Sequence, residues 1–250
     1  MIKAVEVYKS FEGKQVLENI SATFLPGEIN QIIGQSGSGK TVLLKLLVGL
    51  YSVDEGEIYY NDILFSKLSR DEKQEVRKKI GMLFQGSALF DSATVLENVM
   101  FPLEMFTKMS LEEKKERANF CLKRVKIENS NHLYPSEISG GMQKRVAIAR
   151  AIALNPKYLF CDEPNSGLDP RTATVIDNLI KEITQEYQIT TIINTHDMNS
   201  IMEIGDKIFF IYEGKKWWEG TKEEILRSDN KQLNDFVFSS SLTRAVKDKF

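Results

Sequence analysis

The sequence predicts an α/β fold built on a mainly parallel sheet, with a helical piece inserted into it, and three observations carry that prediction. Short apolar runs bounded by turn or polar residues alternate with helical patterns along the chain. One run leads into a glycine-rich loop that opens a helix, which is the context a phosphate cradle requires. Between Phe90 and Asn155 the strand signal vanishes and helical spacing takes over.

Taken in order, Ile2–Val7 alternates like a half-buried strand, and Ile29–Ile33 is a short run ending at Gly34, read as a buried strand. Lys40–Leu50 has helical character and stops at Gly49. Ile80–Phe84, Tyr158–Cys161 and Ile189–Asn194 are further strand candidates, and Ile208–Tyr212 and Lys215–Glu219 flank a hairpin turn at Glu213–Gly214. Pro102 and Pro135 punctuate the helical stretch. Thr221 and Glu224 have capping-box spacing and open a short helix. Leu233, Phe236 and Val237, then Leu242, Val246 and Phe250, fall at helical spacing; this stripe is expected to face a partner, with packing on its own subunit or disorder as the equal alternatives.

The 250 residues, 42% hydrophobic, suffice for a substantial core. A formal net charge of −2 argues against a nucleic-acid partner, which usually requires a basic excess. The local cluster Lys114-Lys115-Glu116-Arg117 is interleaved with acid and reads as a solvated helix face. Cys121 and Cys161 lack CxxC spacing and fit a reduced, cytoplasmic compartment. The N-terminus has no apolar signal-peptide core, and no stretch approaches 18 uncharged apolar residues. Any pore must therefore come from another polypeptide.

Gly34-Gln35-Ser36-Gly37-Ser38-Gly39-Lys40-Thr41 fits the P-loop pattern. Glycines let successive backbone N–H groups turn inward around phosphates, and the helix N-terminus adds its positive dipole. Lys40 is placed to reach the β- and γ-phosphates of ATP, and Thr41 to ligate Mg²⁺. Tyr158-Leu159-Phe160-Cys161-Asp162-Glu163 is an apolar strand ending in two acids. Strands often end in charge; downstream of a P-loop, Asp162 reads as a Mg²⁺ residue and Glu163 as the group that polarises the attacking water. Ser139-Gly140-Gly141 at a helix start offers a hydroxyl, free N–H groups and a dipole, all suited to an anion.

A P-loop, then Ile138-Ser139-Gly140-Gly141-Met142, then the acidic pair, is an order that resembles the ABC (ATP-binding cassette) ATPase family, whose signature reads LSGGQ. Here Ile replaces Leu and Met replaces Gln, while the serine and glycines that touch ATP in the family are intact. The resemblance extends over about 2–220. It implies a RecA-like P-loop NTPase core, an antiparallel β subdomain and an inserted helical subdomain at about 90–155, with 221–250 as a C-terminal helix and tail. By the same resemblance Phe11 stacks on adenine, Gln85 is the Q-loop glutamine serving catalysis and Mg²⁺, Asp169 belongs to the D-loop beside the nucleotide, and His196 is the switch histidine contacting the γ-phosphate. Singly, Phe11 could be core, Gln85 a loop residue and His196 a strand-end histidine; six elements in the family's order outweigh those readings. Asn165 departs from the family's usual Thr.

The family resemblance implies a head-to-tail pair with a second copy of the chain, working peripherally at the cytoplasmic face of the inner membrane on a transmembrane permease. Within the family, the stretch from Phe84 to Val99 and the run Gly141-Met142-Gln143-Lys144-Arg145 look like the ATPases of MCE-type lipid transporters, including the Mla system. That finer likeness implies phospholipid cargo and an MCE-domain lipid-binding partner, with Leu89 and Phe90 as anchors for the permease. The alternatives are an importer of a small polar solute such as an amino acid, which the catalytic motifs leave open, and a non-transport ABC protein.

Overall fold

The computed structural model describes residues 1–239, in the order β1 (Ile2–Phe11), β2 (Lys14–Phe24), β3 (Ile29–Ile33), α1 (Lys40–Leu47), β4 (Glu55–Tyr60), β5 (Ile63–Leu64), α2 (Arg70–Arg77), β6 (Ile80–Leu83), α3 (Val95–Phe106), α4 (Leu111–Arg124) and α5 (Gly140–Ile152). There follow β7 (Tyr158–Asp162), α6 (Pro170–Tyr187), β8 (Thr190–Thr195), α7 (Met198–Ile204), β9 (Lys207–Tyr212), β10 (Lys215–Gly220), α8 (Lys222–Leu226) and α9 (Lys231–Val237).

Two sheets organise these elements. The larger has the order β10-β9-β3-β8-β7-β6 and is parallel except for the β9–β10 hairpin. Every residue of β3, β7 and β8 is buried, as expected for parallel strands covered on both faces. The smaller sheet, β2-β1-β4-β5, is antiparallel. Periodicity found only its first strand, and cut that short at Val7. The pairing of β1 with β2 shifts register between Ala4 and Val7, Val7 and Lys9, and Lys9 and Ser10, so the two-residue alternation breaks.

Between β6 and β7 the regular elements are α3, α4, α5 and one short 3₁₀ turn. Their apolar faces meet in one cluster that includes Val99, Leu103, Ala118, Leu122, Val146 and Ala149. Pro102 lies inside α3 instead of ending a helix. A mid-helix proline costs about 3 kcal/mol. Burial of Val99, Met100 and Leu103 offsets that cost, and the fully buried Asn98 ties the helix start to Phe90, Ala93 and Thr94.

The first half of the C-terminal stripe follows the own-subunit alternative instead of the partner-facing one. Leu233 and Val237 are buried on their own subunit with Ile33, Ile208, Phe210 and Ile225, and Phe236 packs against Phe210 with ring centroids 5.6 Å apart. The fold thus retains an apolar surface beyond β10 that α9 covers. Leu242, Val246 and Phe250, the second half of the stripe, lie outside the described residues. Leu233→Ala is expected to cost about 2–5 kcal/mol of unfolding free energy in chemical denaturation. A loss below about 1 kcal/mol would show that α9 is not part of the core.

Candidate nucleotide site

Parallel strands place their carboxyl ends at one edge, and that edge collects the functional side chains. The P-loop leaves β3, His196 follows β8, Asp162 and Glu163 end β7, and Gln85 follows β6, in adjacent positions across the sheet. A cleft of about 700 Å³ opens there, lined by Gln35, Ser36, Gly37, Gly39, Lys40, Thr41, Gln85, Glu163 and His196 among others. A second cavity of about 430 Å³ lies at the opposite edge, by Tyr158 and Thr190, the first residues of β7 and β8.

The P-loop needs its glycines for steric reasons. At Gly34 a Cβ would stand 2.1 Å from the Ile211 carbonyl oxygen. Gly39 has φ 105° and caps α1, and a Cβ there would meet Leu17 at 2.6 Å. Lys40 is buried to 7% exposure, and its Nζ donates to the carbonyls of Gly34 at 2.7 Å and Gln35 at 2.9 Å. Burial lowers its pKa, and the negative charges of Glu163 and Asp162 act in the opposite sense.

Thr41 Oγ1 donates to Asp162 Oδ1 at 3.4 Å, and Asn194 Nδ2 donates to the same oxygen at 3.1 Å. One hydroxyl and one carboxylate are hard oxygen donors. They suit Mg²⁺, which usually takes one or two protein ligands and completes its shell with water and phosphate oxygens. Among the described residues no group of three acidic, histidine or cysteine side chains forms an all-protein metal cage.

Glu163 adopts φ 51°, a left-handed conformation that costs a residue with a Cβ about 1–3 kcal/mol. Its backbone N–H donates to Asn194 at 3.0 Å. The turn aims its carboxylate at His196, whose Nδ1 stands 2.9 and 2.7 Å from the two carboxylate oxygens. Gln85 Nε2 donates to Ser166 Oγ at 3.4 Å, next to the same carboxylate's segment.

Sequence reading missed the groups that hold the segment after β6. Buried Lys144 donates to the Gln85 carbonyl, and Arg150 donates to the carbonyls of Ser87 and Ala88, both at 2.8 Å. Ser87 and Ala88 both have positive φ, so the segment is bent sharply and stapled from α5. Basic residues on an otherwise apolar helix face were the available signal. Asp235, Phe236 and Ser239 also line the cleft, a contribution from the chain's end that no motif announces.

Ser139, Gly140, Gly141 and Asp169 are not in this cleft. They line a separate hollow of about 470 Å³, together with Arg145, Arg171 and Thr172, and the two hollows share no residue. Ser139 Oγ caps α5 by accepting from Met142 N–H at 3.3 Å. Asp169 caps α6, accepting from Thr172 N–H at 3.0 Å and Thr172 Oγ at 2.5 Å; these bonds lower its pKa. Phe11 is absent from the cleft lining as well. It ends β1 and meets Tyr51 edge-on at 5.2 Å, while Val16 of the paired strand reaches the cleft.

Residues 17–166 match the family model described as ABC transporter. A methionine import ATP-binding protein of Clostridium tetani is 43% identical over 219 residues, covering 86% of this chain and 67% of that protein. Further methionine import ATP-binding proteins match at 36 to 39% identity. The chloroplastic protein trigalactosyldiacylglycerol 3 of Arabidopsis thaliana is 36% identical over 256 residues, covering 96% of this chain and 74% of that protein. An ATP-binding cassette solved as a dimer in a post-hydrolysis state, bound to ADP and Pi, superposes with a TM-score of 0.81 at 36% identity, over 89% of this chain and 99% of that one. With the P-loop, the acidic pair and the signature segment placed as described, this chain belongs to the ABC transporter ATPases and is an ATP-binding, ATP-hydrolysing subunit.

Proposed function

We propose that two copies of this chain close head to tail on two ATP molecules and drive a membrane permease. The observation that carries this reading is the separation of the two half-sites. Lys40, Thr41 and Glu163 line one hollow, with Asp162 bonded to Thr41 behind it, and Ser139–Gly141 line another that shares no residue with the first. A second copy supplies the missing half, as the ADP- and Pi-bound dimeric relative supports.

In this reading the P-loop N–H groups and Lys40 would bind the phosphates, and Thr41 and Asp162 would hold Mg²⁺, which would supply positive charge against the developing phosphoryl charge. Glu163 orients and deprotonates the attacking water, and His196 fixes the Glu163 carboxylate and contacts the γ-phosphate. The partner's Ser139 hydroxyl and α5 N-terminus close over the same phosphates. Hydrolysis removes the group that both halves grip, so binding energy becomes opening and closing.

The permease dock we infer is an apolar patch on the helical insert. Phe90 and Phe101 pack at 4.7 Å between centroids and are both exposed, with Met105, Phe106 and Met109 exposed beside them on and after α3. Leu89 does not join them; it packs against the insert's own core. A group of exposed aromatic and methionine side chains of this kind suits a protein interface. Phe101→Glu combined with Met105→Glu is expected to abolish co-purification with the permease while ATP binding by the isolated chain is unchanged. Intact co-purification would place the dock elsewhere.

For the cargo, the methionine-import relatives favour a small polar solute such as an amino acid over phospholipid. A second reading, a lipid with an MCE-domain partner, rests on the Phe84–Val99 likeness and on the Arabidopsis relative named for a galactolipid. Purifying the whole complex separates them. ATPase activity stimulated by an amino-acid-loaded binding protein supports the first. Co-purified glycerophospholipid that is released on ATP hydrolysis supports the second.

A further inference from the structure

One buried carboxylate remains outside the chemistry just described. Asp177, in the middle of α6, is 2% exposed, yet it joins two segments of the site directly and a third through Ser200. Its Oδ1 accepts from Asn165 Nδ2 at 2.8 Å and from Ser200 Oγ at 3.1 Å. Asn165 lies two residues after Glu163, and Ser200 four residues after His196. The Ser200 carbonyl in turn accepts from Gln31 Nε2 at 3.0 Å, three residues before the P-loop's Gly34. A single buried chain of hydrogen bonds therefore runs from the P-loop strand, through the switch helix α7 and α6, to the backbone leaving Glu163.

Two features show that Asp177 sets this geometry. Asn165 Oδ1 is buried without a hydrogen-bond partner among the described residues, so the bond to Asp177 orients the amide. Burial pushes the Asp177 carboxyl up to about 6, against the two hydrogen bonds that favour its ionised form, while Asp197 and Glu203 push it further up. What joins the two segments is the single oxygen Oδ1, which accepts from both donors.

We propose that Asp177 is a positioning residue for hydrolysis, holding the turn after Glu163 and the helix after His196 in fixed relation so that Glu163 stays in its strained, productive orientation. This rests on the reading of Glu163 as the general base. A misplacement of about 1 Å at a reacting group can cost about 100-fold in rate without weakening substrate binding.

The test measures kcat and KM for Mg-ATP in the assembled transporter for Asp177→Ala, Asp177→Asn, Asn165→Ala and the Asp177→Ala/Asn165→Ala double variant. Glu163→Gln is run in parallel. Asp177→Ala and Asn165→Ala should each lower kcat about 10- to 100-fold with KM within about twofold. The double variant should fall no further than the worse single, because both break one link. Asp177→Asn keeps the Oδ1 acceptor and should retain kcat within about threefold, a rescue that a need for the charge itself would not show. If Asp177→Ala does not fold, Asn165→Ala breaks the same bond from outside the helix and decides alone. Unchanged kcat in Asn165→Ala, or a rise in KM at constant kcat, overturns the proposal. An inactive Glu163→Gln beside normal Asp177 and Asn165 variants refutes only the positioning role; an active Glu163→Gln refutes the base assignment beneath it.

Discussion

Glu163→Gln is expected to bind Mg-ATP with near-normal affinity, hydrolyse it at least about 100-fold more slowly, and accumulate as a closed dimer. The substitution keeps volume and hydrogen-bonding reach but removes the basic oxygen. A general base supplies about 10²- to 10⁴-fold. The proposed role rests on geometry. It stands next to Asp162, in a left-handed turn, with both carboxylate oxygens within 3 Å of His196. Binding should survive because the phosphate cradle belongs to β3 and α1, elements that the substitution does not touch. Gel filtration with ATP reads the dimer, and phosphate release reads the turnover. Near-normal turnover would move the base elsewhere, with His196 the next group in place.

Lys40→Ala should act one step earlier. Lys40 is 7% exposed and its ammonium is fastened to two P-loop carbonyls, so the charge is already positioned and little side-chain freedom is lost when phosphate arrives. Burial weakens its hold on the proton, while Glu163 and Asp162 oppose that shift. Losing a charged hydrogen bond costs about 1.5–3 kcal/mol in binding, or at least about tenfold in affinity. Loss of charge stabilisation in the transition state should lower turnover by a further 10²- to 10³-fold or so. Titration with a fluorescent ATP analogue separates the two effects. Undiminished hydrolysis by the assembled complex would refute the role. Together the variants divide the site, with Lys40→Ala losing the nucleotide and Glu163→Gln keeping it unhydrolysed.

The sequence by itself determined the nucleotide chemistry and most of the large sheet. Its strands β3, β7 and β8 are fully buried on both faces, so their composition alone marks them, and their polar ends carry the P-loop, the acidic pair and His196. Glycine positions such as Gly34 are legible because no other side chain fits the backbone there. Tertiary structure alone decided what depends on neighbours distant in sequence. The antiparallel sheet was implied by the family resemblance, but periodicity did not locate β2, β4 and β5, because bulges scramble the alternation of the β1–β2 pair and these strands are only partly buried. The apolar stripe at 233–237 spoke for an unmet surface, but whether a partner or the chain's own β9 and α8 covers it is a matter of long-range packing. Phe11 could be matched to an adenine-stacking position, yet its ring turns to Tyr51, forty residues on. Asp177 gave no local signal at all. A lone acid in a helix reads as solvated until the fold brings Asn165 and Ser200 to one of its oxygens, and only burial turns an ordinary residue into one that the site depends on.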